Sequence, residues 1–112
     1  MILLRSPRSP AVNQIELHPY FTQNSMTAVN SARGIVTEAW SPLGGIHSWG
    51  SEQPTESPLS DPATAEIATH HGRSPVRIVL SWHRQHGRIV IPKSSGDARI
   101  RENFAVGDFS LS

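Results

Sequence analysis

The sequence predicts an α/β fold in which helices join the strands of a three-stranded parallel sheet. Strand-like and helix-like segments alternate along the 112 residues, and a proline closes each strand-like segment. Alternation of this kind is typical of parallel sheets with helical crossovers. Since three strands cannot close into a barrel, the pattern indicates part of a larger structure.

Three segments have the composition of strands: residues 11–17, 35–40 and 88–91. The first mixes apolar and polar positions, and the second is rich in the β-branched side chains that suit a pleated surface. A proline follows each segment within two residues. Because proline lacks the amide donor that a central strand needs, these positions predict strand ends.

Four segments are predicted to be helical: residues 24–33, residues 61–71, a segment from Ser74 that stops at Gly87, and residues 97–104. The second and third begin with Asp61-Pro62 and Ser74-Pro75. Each pair combines an N-cap residue with a proline in the first helical turn, which is a typical helix start.

The spacing of apolar residues supports two of the predicted helices. In the first helix Met26, Val29 and Ala32 recur every three residues, a spacing typical of a helix. The third helix has the i, i+3, i+4, i+7 stripe of a buried face. Its members are Val76, Val79, Leu80 and His83.

Two stretches are predicted to be irregular. Residues 1–10 contain two Arg-Ser-Pro units, and we expect them to form a lead-in to a domain of residues 11–112. Residues 42–60 are rich in glycine and proline and are predicted to form a loop. A loop of this length is usually functional or disordered.

Composition excludes several classes of function. The net charge is +1 and there is no cysteine, which excludes disulfides, thiolate metal sites and a cysteine nucleophile. The balanced charge gives no reason to expect a nucleic-acid or membrane partner. No apolar run approaches the roughly 18 residues of a membrane span or forms a signal peptide. We therefore expect a soluble, cytoplasmic chain.

Histidine and serine chemistry offer two weaker alternatives. The chain has 6 histidines, and His83 and His86 share a helix face, with His70-His71 as a second pair. A zinc site needs three or four ligands, so neither pair suffices and no metal is predicted. The Gly-x-Ser-x-Gly elbow of many serine hydrolases is absent from the sequence, which argues against that class.

Several segments together resemble the aldo-keto reductases. They are residues 12–20 (VNQIELHPY), 39–44 (AWSPLG), 91–94 (IPKS) and 99–103 (RIREN), with Ser81-Trp82-His83 ahead of the third strand. The resemblance covers residues 11–111 and keeps the family's order and spacing. Trp40 is most similar to prokaryotic, diketogluconate-reductase-like members that reduce small keto sugars and aldehydes.

The resemblance implies a fold and an activity. The family folds as a (β/α)8 TIM barrel of about 250 residues, and the three strands would be the sixth, seventh and eighth. The implied protein is an NADPH-dependent oxidoreductase that reduces small-molecule aldehydes and ketones to alcohols. The resemblance also implies the cofactor-binding residues, which are Gln14, Trp40, Ser41, Leu43, Gly44, Lys93, Ser94, Arg99, Glu102 and Asn103.

Each part of this set has an implied role. Trp40 would stack on the nicotinamide ring, Gln14 would bind its carboxamide, and the turn of residues 41–44 would let main-chain amides approach the pyrophosphate. Lys93, Ser94 and Arg99 would hold the 2′-phosphate near a helix start, where anions are favoured. Glu102 and Asn103, one turn later, would contact the adenine.

The family's catalytic Tyr, Lys, Asp and His lie on its first four strands, and no segment of this sequence matches them. Tyr20 and His18 receive no catalytic role from the resemblance. We therefore expect cofactor binding without turnover. The alternative expectation is a non-catalytic fragment that is unstable alone or pairs with a missing half, with another chain or with itself, because three strands leave two open sheet edges.

Overall fold

A computed structural model describes residues 7–44, 57–105 and 110–111. Among them lie three strands and four helices in the predicted order. The elements are β1 (Val12–Glu16), α1 (Asn24–Ala32), β2 (Val36–Trp40), α2 (Pro62–His71), α3 (Pro75–Gln85), β3 (Ile89–Val90) and α4 (Asp97–Phe104). All seven predicted elements are present, and their bounds differ from the predicted ones by two residues or fewer. Most of the predicted 42–60 loop lies outside the described residues.

The three strands form one parallel sheet in the order β1-β2-β3. In the first ladder Val12 pairs with Val36 and Glu16 with Trp40. In the second, Ala39 pairs with Val90. Sequence neighbours are therefore neighbours in the sheet, and each connection carries at least one helix, as parallel strands require.

Caps fix the starts of two helices at the predicted positions. The Asp61 carboxylate accepts the Ala63 amide at 2.9 Å at the start of α2. The Ser74 hydroxyl accepts the Arg77 amide at 3.3 Å at the start of α3. No helix among the described residues has the length and apolar content needed to cross a lipid bilayer.

The core lies between α3 and the helix-covered face of the sheet. Leu17, Ala39 and Leu80 are completely buried, and Val79 is 2% exposed. In α3 the predicted positions Val79, Leu80 and His83 are buried, whereas Val76 is only half-buried. Ile78 and Ser81 are buried too, so α3 contacts its neighbours over more than a single stripe.

The helix α1 packs on the sheet through a polar residue rather than through its apolar residues. Val29 is 36% exposed and Ala32 is exposed, while Met26 is half-buried. The buried residue is Asn30, whose side chain donates to the Thr37 hydroxyl at 3.0 Å and accepts from the Asn13 amide at 3.3 Å. These polar bonds to β1 and β2 set the rotation of the helix.

The opposite face of the sheet is open. Val12, Val36, Trp40 and Ile89 alternate with buried or half-buried residues along their strands, and each is 41–43% exposed. Ile91, directly after β3, is 45% exposed. In a closed barrel such a face lines the interior, where side chains from other strands fill the space.

Candidate functional site

The candidate site lies at one edge of the sheet, where the carboxyl ends of three parallel strands meet. Trp40 is the last residue of β2 and stands opposite Glu16. Gln14 pairs with Glu38, so it lies on the same face as Trp40, two residues nearer the amino end. Both side chains are exposed and available to a ligand. The register of β2 and β3, continued by one residue, brings Ile91 beside Trp40.

A tight turn of residues 41–44 follows Trp40. The Gly44 amide donates to the Ser41 carbonyl at 2.9 Å, and both residues have positive φ, 47° at Ser41 and 91° at Gly44. Such values are costly for a serine. Gly44 also contacts the buried Pro58, since a Cβ added there would lie 2.5 Å from the proline Cδ. The turn thus has a backbone conformation, with positive φ at a serine, that non-glycine residues rarely adopt.

His83 anchors this turn from beneath. The side chain is completely buried, and its Nε2 lies 2.9 Å from the Pro42 carbonyl oxygen. Because a carbonyl oxygen only accepts, Nε2 carries the proton. Nδ1 is buried without a hydrogen-bond partner. Burial lowers the pKa of His83 from 6.5 to about 4, so the imidazole is neutral at pH 7.

The sequence predicts that His83 lies on a buried face but gives no link between His83 and the turn. The stripe of apolar residues in α3 was sufficient to predict its burial. Because buried polar groups are nearly always hydrogen-bonded, the predicted burial of His83 indicates that its ring has a hydrogen-bond partner. Its identity could not be read from the sequence, because 41 residues separate His83 from Pro42.

A cavity of about 610 Å³ lies between the end of β3 and α4. Its described lining residues include no carboxylate. They are Val90, Ile91, Pro92, Lys93, Ser94, Ile100, Asn103 and Phe104. The Ser94 Oγ atom is buried and has no hydrogen-bond partner. An orphaned buried hydroxyl beside an exposed lysine and a carboxamide suits an anionic, polar ligand.

The remaining predicted residues of this cluster lie on α4, which Arg77 fixes to α3 by donating from Nε to the Ala105 carbonyl at 2.7 Å. Arg99 is exposed. Its Cγ and Cδ atoms lie 3.9 Å from the position that a Cβ atom on Gly96 would occupy. Glu102 is half-buried and is not among the described lining residues. The structure therefore brings Lys93, Ser94 and Asn103 together around the cavity, and Arg99, like Glu102, is not among its described lining residues.

Tyr20 and His18 have structural partners. Tyr20 Oη donates to the Asp61 carboxylate at 2.6 Å, at the N-cap of α2. His18 Nε2 lies 3.1 Å from Glu16 Oε1. His86 Nδ1 lies 2.8 Å from the Trp82 carbonyl on its own helix. Within the described residues no group of three or more His, Cys, Asp or Glu side chains could hold a metal ion.

Comparison with known proteins gives consistent matches. The sequence model of the Aldo/keto reductase family matches residues 2–112. Morphine 6-dehydrogenase of Pseudomonas putida is 51% identical over 106 residues, which cover 92% of this chain and 36% of that protein. Methylglyoxal reductase DkgA of Salmonella typhimurium is 43% identical over 103 residues, which cover 92% of this chain and 34% of that protein.

Solved structures agree with the sequence relatives. A mutant of Gox0644 crystallised in complex with NADPH superposes with a TM-score of 0.84 at 38% identity, over 99% of this chain and 37% of that one. The chain thus spans about a third of the length of the curated relatives it matches. The three parallel strands and four helices correspond to part of a (β/α)8 barrel.

Proposed function

The chain belongs to the aldo/keto reductase family, and from that premise we propose that it carries the NADPH site of an oxidoreductase that reduces small aldehydes and ketones to alcohols. Residues 11–112 would form the cofactor-binding part of the barrel, after the lead-in of residues 1–10. In TIM barrels ligands bind at the carboxyl ends of the strands. Every residue in the proposed site except Gln14 lies at or after such an end.

The observation that carries this proposal is the orphaned Ser94 hydroxyl. Its Oγ is buried without a partner in a cavity that Lys93 and Asn103 also line. A phosphate group would satisfy the hydroxyl and pair with the lysine, and Arg99 could add a bidentate contact. We assign the 2′-phosphate of NADPH to Lys93, Ser94 and Arg99, and the adenine to Asn103 with Glu102 at its margin.

One feature of α4 opposes an anion. Asp97 lies in the first turn of the helix, and Gly96 offers no side-chain cap. The favourable helix start, worth about 0.3–1 kcal/mol at an exposed site, is therefore partly offset by the carboxylate. The lysine, the arginine and the serine must supply most of the affinity for the phosphate.

The other end of the cofactor would lie across β1 and β2. We propose that the exposed ring of Trp40 stacks on the nicotinamide and that Gln14 binds the carboxamide. The main chain of Ser41, Leu43 and Gly44 would meet the pyrophosphate, since positive φ values there favour the concave amide arrangements that bind anions. When bound, NADPH supplies a hydride to the carbonyl carbon of a substrate.

Reduction also needs a proton donor held beside the substrate carbonyl. Tyr20 is the only tyrosine, and its hydroxyl donates to Asp61, which serves as the N-cap of α2. We propose that residues outside these 112 supply the donor. The isolated chain would then bind NADPH without turnover, and aldehyde-dependent oxidation of NADPH by the pure chain would contradict this.

A titration monitored by NADPH fluorescence tests the proposed site. The wild-type chain should bind NADPH more tightly than NADH, which lacks the 2′-phosphate. Ser94→Ala should weaken NADPH binding about tenfold, the loss expected for one hydrogen bond to a charged group, and should leave NADH unchanged. Ser95→Ala, at the exposed neighbouring serine, is the matched control. Equal affinities for the two nucleotides would overturn the assignment.

A second candidate is a non-catalytic fragment that functions only when paired. The observation that favours it is the open sheet face, where Val12, Val36 and Ile89 are all exposed. Exposed apolar faces and unpaired strand edges promote association. Sedimentation of the pure chain tests this candidate, because a concentration-independent monomer would contradict self-association.

A further inference from the structure

We propose that His83 is a positioning residue for the cofactor site, and that its Nε2–H bond to the Pro42 carbonyl holds the turn of residues 41–44 in the conformation that receives the cofactor. The inference deepens the proposed function and rests on it. It assigns to α3, which contributes no residue to the proposed site, the task of fixing the shape of that site.

The turn needs an external anchor because its own conformation is strained. Ser41 has a φ of 47°, a value that costs a non-glycine residue about 1–3 kcal/mol. Pro42 has no amide hydrogen, so its carbonyl is the only hydrogen-bonding group through which it can be held. That carbonyl accepts from Nε2 of the buried His83 ring at 2.9 Å. The bond therefore holds Pro42, which directly follows the strained Ser41.

The surroundings keep His83 neutral. Arg88 just before β3, His18 after β1 and His86 at the C-cap of α3 all oppose a positive charge at the ring. His18 in turn pairs with the Glu16 carboxylate, at 3.1 Å between Nε2 and Oε1. The Trp82 ring lies edge-on to His83, with centroids 4.7 Å apart. Trp82 also contacts the Arg88 guanidinium at 4.6 Å and the His86 ring at 5.5 Å.

Neutrality matters because only one ring nitrogen has a partner. Nε2–H donates to Pro42, while Nδ1 is buried without one. Protonation would add a donor with no acceptor and a charge beside Arg88, which burial makes costly. The anchor is thus a fixed neutral donor at pH 7.

Two substitutions at this position separate the hydrogen bond from packing. His83→Gln retains an amide donor at a similar distance from the main chain, whereas His83→Leu fills the space without a donor. We expect His83→Leu to weaken NADPH binding about five- to tenfold, as loss of a neutral hydrogen bond would, and His83→Gln to restore most of the affinity. Val79→Ala, on the same helix and also buried, is the control for general destabilisation.

A fragment of the cofactor shows whether the loss of affinity in His83→Leu arises at the turn. Adenosine 2′,5′-bisphosphate would occupy the Lys93–Arg99 cluster and would not reach the turn. Its affinity should be the same in the wild-type chain and in His83→Leu, while the affinity for NADPH falls. A parallel loss for both ligands, or the same loss in Val79→Ala, would mean that His83 only stabilises the fold and would overturn the inference.

An NMR titration tests the anchor without any nucleotide. Imidazole nitrogen shifts should report a proton on Nε2 of His83, and the Leu43 and Gly44 amide signals should shift with the ring as it titrates near pH 4. In His83→Gln this acid-dependent shift should disappear. Turn amides that ignore the His83 titration would overturn the inference, whereas failure of the wild-type chain to bind NADPH would count against the proposed function alone.

Discussion

Tyr20 Oη donates to Asp61 Oδ2 at 2.6 Å, which ties the segment after β1 to the first turn of α2, 41 residues further along the chain. Asp61 Oδ1 accepts the Ala63 amide at 2.9 Å, so one carboxylate serves both contacts. The bond from Tyr20, followed by that from Ala63, lowers the pKa of Asp61. The only tyrosine of the chain thus has a structural partner.

Replacing Tyr20 with phenylalanine should raise the pKa of Asp61, because the largest contribution that lowers it is lost. A carboxyl carbon-13 titration would measure the change. Since the folded-state pKa is depressed, the stability that this carboxylate contributes is present above its unfolded pKa and is lost as the pH falls. Asp61 pKa values that coincide in the two proteins would show that the 2.6 Å bond is not formed in solution.

The pH dependence of folding should carry the signature of His83. Its pKa falls from 6.5 to about 4 on folding, so the unfolded chain binds a proton in this window that the folded chain does not. Stability should therefore fall as the pH drops from about 6.5 to about 4, by up to about 3 kcal/mol in total. Urea unfolding across this range would measure it. In His83→Gln the dependence should be flatter by this amount, and an unchanged slope would contradict the assignment.

Asn30 should be one of the most sensitive positions outside the apolar core. Its buried amide bridges Asn13 and Thr37, so Asn30→Ala would leave two strand side chains without their partner and create a small cavity. We expect a loss of about 2–4 kcal/mol in unfolding free energy by urea denaturation. Ser31→Ala, at the exposed next position, should change it by less than about 0.5 kcal/mol. Similar losses in both variants would contradict the bridging role.

Two glycines with positive φ, Gly34 after α1 and Gly44 in the turn, allow backbone strain to be separated from the contact with Pro58. Gly34→Ala places a methyl group in open space, whereas at Gly44 the same methyl would meet the Pro58 ring. Gly34→Ala should therefore cost only the backbone strain, about 1 kcal/mol. Gly44→Ala should cost about 1–3 kcal/mol more through overpacking, and it should also weaken NADPH binding. Thermal unfolding that ranks the two variants equally would argue against the contact with Pro58.

The order of elements could be predicted because local signals were strong. Asp61-Pro62 and Ser74-Pro75 mark helix starts through capping and fixed φ, and both are observed. The face of α1 could not be predicted in this way. Its apolar residues are small in number and weakly hydrophobic, and the buried position is taken by Asn30 because partners on two strands satisfy its amide.

The candidate site also combines residues that the sequence could predict with a contact that it could not. Lys93, Ser94 and Asn103 were predicted from local motifs and do line one cavity, since a strand end and the following helix are close in sequence. The position of Glu102 outside the described lining depends on the rotation of α4, which its contact with α3 sets. The bond between His83 and Pro42 spans 41 residues, and only the folded arrangement of α3 under the turn brings its atoms together.

The central claim is that residues 11–112 contain an NADPH site, and thermal unfolding followed by far-UV circular dichroism tests it most directly. A ligand that binds only the folded state raises the unfolding midpoint by mass action. We predict one cooperative transition whose midpoint rises with millimolar NADPH and rises less with NADH. A transition indifferent to NADPH, or the absence of a cooperative transition, would contradict the claim.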